Sequence, residues 1–184
     1  YSFFITLSSH HPFNAFEDYD FNVGEYEGSY LGNYLKAAHY ADYALGNFIQ
    51  DLKDRGLYDN SLLVVYGDHS AVPKHMAEEL MSFVQTDYSE LEWTKLQKVP
   101  LIIHSNGFMN GEVISTTGGE IDIFPTIANL MGIEAPYALG KDLINTEKGY
   151  VILRNGSIIT DEYVYLNNSR EMYDIRTGKS LDRN

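Results

Sequence analysis

The sequence predicts an α/β fold: a mostly parallel sheet flanked by helices, with a small antiparallel sheet towards the carboxyl terminus. Three observations carry this expectation. Residues 3–7, 62–66 and 99–104 are apolar runs without polar alternation, the pattern of strands buried on both faces. Between the first two, Leu31, Leu35, Ala38, Ala41, Leu45, Phe48, Ile49 and Leu52 recur at helical spacing. This strand, helix, strand order implies a parallel pair joined by a right-handed crossover. Near the end, Val151-Ile152-Leu153, Asn155-Gly156 and Ser157-Ile158-Ile159 read as a hairpin, because Asn-Gly accepts the positive φ values of a two-residue turn. Residues 1–148 are expected to form the α/β part and residues 149–184 a small antiparallel β subdomain.

The first strand is stopped by Ser8-Ser9-His10-His11-Pro12-Phe13, which puts His10 and His11 on a loop at its carboxyl end. Residues 14–26 are acidic, aromatic and irregular, and read as a surface excursion. The helix predicted over residues 28–55 closes at Gly56, with Lys53 and Arg55 against the negative end of its dipole. Asp59-Asn60 turns into the second strand. After His69 a loop with Pro73 leads into a helix over residues 76–84. Residues 85–98, with the single tryptophan Trp93, read as a long loop holding at most a turn of helix. Pro100 opens the third strand, where its missing N–H is tolerated. Residues 106–111 read as a turn and residues 113–117 as a short strand. Over residues 120–132 a helix is capped by Asp122, carries Pro125 in its first turn and ends at Gly132. Tyr163-Val164-Tyr165 and Met172-Tyr173-Asp174, with a turn at Thr177-Gly178, extend the hairpin into a sheet. Because the chain opens directly into a strand-like run, it is expected to be a piece of a longer protein.

Composition narrows the function. With 184 residues, 44% hydrophobic and 21% charged, the chain suits one globular domain. Thirteen Lys and Arg against 26 Asp and Glu give a net charge of −13, which argues against nucleic-acid binding. An acidic protein acting on a phosphorylated substrate needs a metal or focused positive groups to offset repulsion. Cysteine is absent, so disulfides and thiolate sites are excluded. No apolar run approaches membrane-spanning length, and residues 1–7 lack the length and basic flank of a signal peptide. Fifteen tyrosines and nine phenylalanines hint at a surface for sugars or lipid headgroups, although such rings more often fill cores and interfaces.

Chemistry concentrates at Tyr66-Gly67-Asp68-His69, where the apolar run 62–66 ends in a glycine and two metal-capable side chains. In α/β sheets ligands bind beyond the carboxyl ends of strands. Gly67 would let the chain turn so that Asp68 and His69 converge on one ion. An anionic oxygen with an imidazole suits Mn²⁺ or Zn²⁺, and Mg²⁺ less well. The bland alternative is a solvated Asp on a turn beside a chance His.

The order of His10-His11-Pro12-Phe13, Asp54-Arg55-Gly56-Leu57-Tyr58, Tyr66-Gly67-Asp68-His69, Lys98-Val99-Pro100, Asp122-Ile123-Phe124-Pro125-Thr126, Arg154-Asn155-Gly156 and Tyr173-Asp174 is specific as a set. In it the chain resembles the carboxyl-terminal half of the extracellular domain of lipoteichoic acid synthases. These are phosphoglycerol transferases in the sulfatase-like branch of the alkaline phosphatase superfamily. The resemblance implies a threonine nucleophile that takes glycerol phosphate from phosphatidylglycerol and passes it to a lipoteichoic-acid-type chain or glycolipid. It implies a divalent cofactor, Mn²⁺ before Mg²⁺ or Zn²⁺, with Asp68 and His69 as two ligands and His10 as a contact to the substrate phosphate. The threonine and a further acidic ligand lie upstream in the family, so no catalytic residue is expected here. The missing amino-terminal half of the domain is then a partner, and this piece alone should be inactive. The parent is expected to be membrane-anchored, facing outward. Ser70-Ala71-Val72-Pro73 departs from the family's Tyr-Gly continuation and puts loop contacts to substrate in doubt.

The remaining histidines read as structural: His11 as a packing neighbour, His75 as a surface residue at a helix start in preference to one that reaches the metal pair, His39 as a mid-helix residue and His104 as a satisfied side chain. Two rival functions stand beside the transferase. One is a sulfatase or phosphoethanolamine transferase of the same superfamily; the latter usually continues Asp-His with Gly-Glu, which Ser70-Ala71 does not match. The other is a non-catalytic binding module that kept the fold.

Overall fold

The computed structural model describes residues 1–16, 18–108 and 111–181, and the chain divides into two compact units. The first comprises residues 1–88 and 96–109, the second residues 89–95 and 110–184.

In the first unit the long helix α1 runs Tyr30–Asp54, close to the expected span. Ser29 caps it, its Oγ accepting the Gly32 N–H at 3.0 Å, a contact worth about 1 kcal/mol. Burial is confined to the first half, where Leu31 and Ala37 are covered and the buried Lys36 ammonium pairs with Glu27. Gly56 ends the helix, and one tight turn at Tyr58–Asn60 leads into β1, Leu63–Tyr66. A 3-10 turn at Lys74–Met76 continues into α2, Ala77–Phe83. Asn106 and Gly107 form the expected turn after β2, Leu101–His104; Met109 and Asn110, like Glu17 of the surface excursion, lie outside the described residues.

Helices and strands mix as expected, but the mostly parallel sheet does not appear among the described residues. β1 pairs with β2 antiparallel, Leu63 opposite His104 and Tyr66 opposite Leu101, and the remaining strand pairs are antiparallel too. Residues 1–6 form no strand, and Phe3, Phe4, Ile5 and Leu7 are exposed. An apolar run encodes a demand for burial, not the direction of its neighbour or the presence of one. Backbone groups become a ladder only when another strand takes them.

In the second unit, α3 (Glu90–Leu96) and α4 (Ile123–Leu130) accompany a five-stranded meander: β3 Tyr150–Ile152, β4 Ile158–Thr160, β5 Tyr163–Leu166, β6 Glu171–Asp174 and β7 Ser180–Leu181. Leu91 of α3 packs with Val164 and Leu166 of β5, edged by Ile159, Tyr173 and Ile175. The expected loop over residues 85–98 is thus partly a helix that buries Leu91 and Trp93. The hairpin forms where expected, with a longer loop. Ile152 faces Ile158, Leu153 N–H bonds the Ser157 carbonyl at 2.8 Å, and Gly156 takes φ +82°, the arrangement of a three-residue connection. Residues 113–117 form no strand.

Two carboxylates hold this unit's loops. Asp122, 1% exposed, accepts the backbone N–H of Gly119 at 2.9 Å and of Lys141 at 2.8 Å, and the Lys141 ammonium at 3.2 Å. Lys141 also donates to the Tyr150 carbonyl at 2.7 Å, linking Asp122 to the start of β3. Asp122 does not cap α4 as expected, since its side chain accepts no amide of that helix; it gathers a turn and a distant loop instead. Asp161 accepts Thr117 N–H and Gly149 N–H, each at 2.6 Å. Burial pushes its carboxyl up, but those hydrogen bonds and the Lys141 charge outweigh burial and hold it below the ordinary aspartate value. A depressed folded value means stability that is complete above the unfolded value, about 3.9, and is lost as pH falls through the folded one. Acid denaturation followed by circular dichroism is expected to show this loss below about pH 4, and Asp161→Asn should flatten it. An unchanged acid limb in that variant would refute the linkage.

Candidate functional site

Asp68 and His69 follow the carboxyl end of β1 directly. Gly67 carries them there, for a reason other than the one expected. Its N–H bonds the Pro100 carbonyl at 3.1 Å, and a Cβ at this position would meet Val99 Cβ at 3.0 Å. The glycine admits a close approach of the Val99-Pro100 segment that leads into β2. The two side chains stand side by side, His69 Nε2 3.8 Å from Asp68 Oδ1, and both face solvent, 68% and 76% exposed.

His69 Nδ1 lies 2.9 Å from the Ser70 carbonyl oxygen. A carbonyl only accepts, so Nδ1 carries the proton and the neutral ring keeps its Nε2 lone pair for a ligand. His10 repeats the arrangement, its Nδ1 2.7 Å from the His11 carbonyl. Both imidazoles are thus held by the backbone oxygen of the next residue.

The His10 loop is pinned to α1. Phe13, 2% exposed, holds φ +62° and packs its ring 5.4 Å from Tyr30 and 5.3 Å from Tyr34. Burying such a ring is worth about 1.5–3 kcal/mol, enough to hold a backbone conformation that bulky residues rarely take. His11 lies 5.7 Å from the Tyr30 ring. A cavity of about 360 Å³ opens beside this loop, lined by Leu7, Ser8, His10, Pro12, Asn14 and Phe16 among others. Tyr30 also reaches the other loop: its hydroxyl donates to the Ala71 carbonyl at 3.3 Å, two residues past His69. Burial pushes the Tyr30 phenol above its ordinary value. Val72, buried, anchors the same segment. Tyr30 and Tyr34, four apart at the start of a predicted helix, were a pair readable as one face, but their partner Phe13 could not be read from spacing.

Among the described residues no third His, Asp or Glu joins Asp68 and His69 in a metal-sized cluster. The pair still fits a divalent ion, because it presents an anionic oxygen and an unengaged imidazole nitrogen together, while leaving further donors to be supplied. His75 is exposed beyond this loop. His104 is stacked on Tyr58, centroids 4.1 Å apart, but among the described residues its buried Nε2 has no hydrogen-bond partner, so it is not the satisfied side chain expected. His39 stacks on Phe21 at 4.0 Å and its Nδ1 lies 3.1 Å from the Tyr19 hydroxyl, a structural setting.

The sulfatase family model matches residues 1–133. Lipoteichoic acid synthase 2 of Bacillus subtilis is 41% identical over 99% of this chain, which spans 28% of that protein. The lipoteichoic acid synthase of Staphylococcus aureus is 33% identical over 91% of the chain, which spans 26% of it. A crystal structure of the lipoteichoic acid synthase LtaP from Listeria monocytogenes superposes with a TM-score of 0.81 at 32% identity, covering 96% of this chain and 47% of the other. The chain therefore spans well under a third of these curated relatives, and it belongs to the sulfatase family, on the branch of the lipoteichoic acid synthases.

Proposed function

We propose that this chain is part of a metal-dependent phosphoglycerol transferase that takes glycerol phosphate from phosphatidylglycerol, for transfer to a glycerol-phosphate polymer or glycolipid. The observation that carries it is the Asp68 and His69 pair, side by side and open to solvent at the end of β1, on a loop tethered through Tyr30 to the loop of His10. The relatives' names point the same way. Asp68 and His69 are the residues that would hold a divalent ion, Mn²⁺ before Mg²⁺ or Zn²⁺. When bound, such an ion stabilises charge on phosphoryl oxygens and activates a hydroxyl nucleophile.

This chain's own residues set the stage for that chemistry. His69 keeps its ligand nitrogen free by spending its other nitrogen on Ser70. Asp68 supplies the negative oxygen. His10 keeps its Nδ1 on the His11 carbonyl and leaves Nε2 to face the phosphate. The threonine nucleophile, an additional acidic ligand and the rest of the domain are expected outside these 184 residues. No helix among the described residues is long and apolar enough to cross a membrane. The lipid substrate calls for action at a membrane surface, and the likeness to lipoteichoic acid synthases supports the outer face of the cytoplasmic membrane, with the anchor elsewhere in the parent.

The test uses the complete protein with fluorescent phosphatidylglycerol in vesicles. Diacylglycerol release that requires Mn²⁺ is the expected result, and sulfate-ester hydrolysis in its place would overturn the reading. His10→Ala should lower transfer about 10²-fold while manganese content, read by atomic absorption, stays intact. Loss of metal in that variant would remove His10 from the phosphate role.

A further inference from the structure

We propose that Tyr30 is a positioning residue that holds the His10 loop and the Asp68 and His69 loop at a fixed separation. This inference rests on the transferase reading above. Each histidine is oriented by a neighbouring backbone carbonyl, and Tyr30 touches both segments that supply it, through a backbone carbonyl on one side and side-chain rings on the other. On one side His69 donates to the Ser70 carbonyl, and the very next carbonyl, Ala71, accepts the Tyr30 hydroxyl. On the other, His10 donates to the His11 carbonyl, and the His11 ring lies against the Tyr30 ring, which Phe13 flanks from the next position but one. Tyr30 itself sits in the first turn of α1, behind the Ser29 cap, so its Cα is fixed by the helix.

Core packing alone would need only the ring. The hydroxyl and the ring serve different loops, so the two halves of the side chain separate by mutation. Tyr30→Phe keeps the ring on His11 and Phe13 and releases the Ala71 carbonyl. Tyr30→Leu releases both. The O···O distance of 3.3 Å is long for a hydroxyl donor, so the expected effect of the first change is modest. Outer contacts that orient metal-ligating histidines commonly tune affinity by an order of magnitude or more.

The experiment uses the complete protein. In Tyr30→Phe, Mn²⁺ binding followed by electron paramagnetic resonance is expected to weaken about five-fold, with KM for phosphatidylglycerol unchanged. Metal-free hydrogen exchange should quicken at the Ser70, Ala71 and Val72 amides and not at His10, His11 and Phe13. In Tyr30→Leu both amide sets should quicken and KM should rise as well. Wild-type metal binding and exchange in Tyr30→Phe would overturn the hydroxyl tether, and an unchanged KM and first-loop exchange in Tyr30→Leu would overturn the ring's part. If the wild-type protein shows no Mn²⁺-dependent transfer, the functional reading fails by itself, and the metal-free exchange pattern still decides whether Tyr30 couples the loops.

Discussion

Alanine at Asp68 or His69 in the complete protein is expected to cut phosphoglycerol transfer by 10²-fold or more and to strip bound manganese. Loss of contacts that merely support a metal ligand costs 10- to 100-fold, so loss of a ligand should cost at least that. The two changes should act alike, because the side chains stand 3.8 Å apart and would serve one ion. Both are exposed, and neither deletion opens a cavity, so the fold should survive with its denaturation midpoint nearly unchanged. That separates this result from simple unfolding. Retention of transfer and of stoichiometric manganese in either variant would refute the ligand assignment. The sharper form of the test is His69→Gln, which keeps a polar side chain of similar reach and removes the imidazole nitrogen that Ser70 leaves free.

The largest effect on stability is expected at Asp122→Ala. The carboxylate is buried and accepts from two backbone N–H groups and an ammonium. Its removal leaves those donors short of an acceptor, and breaking one partner of a buried pair costs about 3–5 kcal/mol. Lys141 is about a quarter exposed and keeps the Tyr150 carbonyl, so the lower end of that range applies. Asp122→Asn, which keeps one accepting oxygen and loses the charge, should fall between. Urea denaturation of the complete protein, followed through the amides of the five-stranded sheet, reads this directly. A loss below about 1 kcal/mol for the alanine variant would mean that water replaces the carboxylate without cost.

Much of the fold was legible in the residues because local rules governed it. The helical spacing from Leu31 to Leu52, with Gly56 after it, gave α1 close to its observed span, while the Ser29 cap that sets its start is not read from that spacing. The hairpin around Asn155-Gly156 and the turn at Thr177-Gly178 lie where the turn residues put them. What spacing does not encode is a partner's direction. Residues 3–7 and 62–66 look alike as apolar runs, yet one forms no strand and the other pairs antiparallel with β2. The short helix α3 had a readable start: Ser89 is followed by Glu92, and the Ser89 Oγ accepts the Glu92 N–H at 3.0 Å. That Ser-x-x-Glu signature was outweighed by the polar look of the segment, whose burial of Leu91 and Trp93 comes from tertiary packing.

The candidate site residues were legible by type alone. Asp68 and His69 after β1, and His10 after an apolar run that forms no strand, announce themselves by type. Their mutual placement was not, because it depends on Phe13 and Tyr30, two ordinary aromatics that meet across 17 residues. The role of Asp122 escaped in the same way. A carboxylate before a helix reads as a cap, and its bonds to Lys141 span 19 residues.

The antiparallel ribbon of β1 and β2 has a practical consequence. Among the described residues each strand has a single neighbour, so its outer rim carries backbone donors and acceptors open to any passing chain. Greasy side chains of residues 1–7 and Ile102 are uncovered on the same unit. A ribbon of that kind is adhesive in water. Handled by itself this polypeptide would tend to clump, and the charge of −13 is its chief protection.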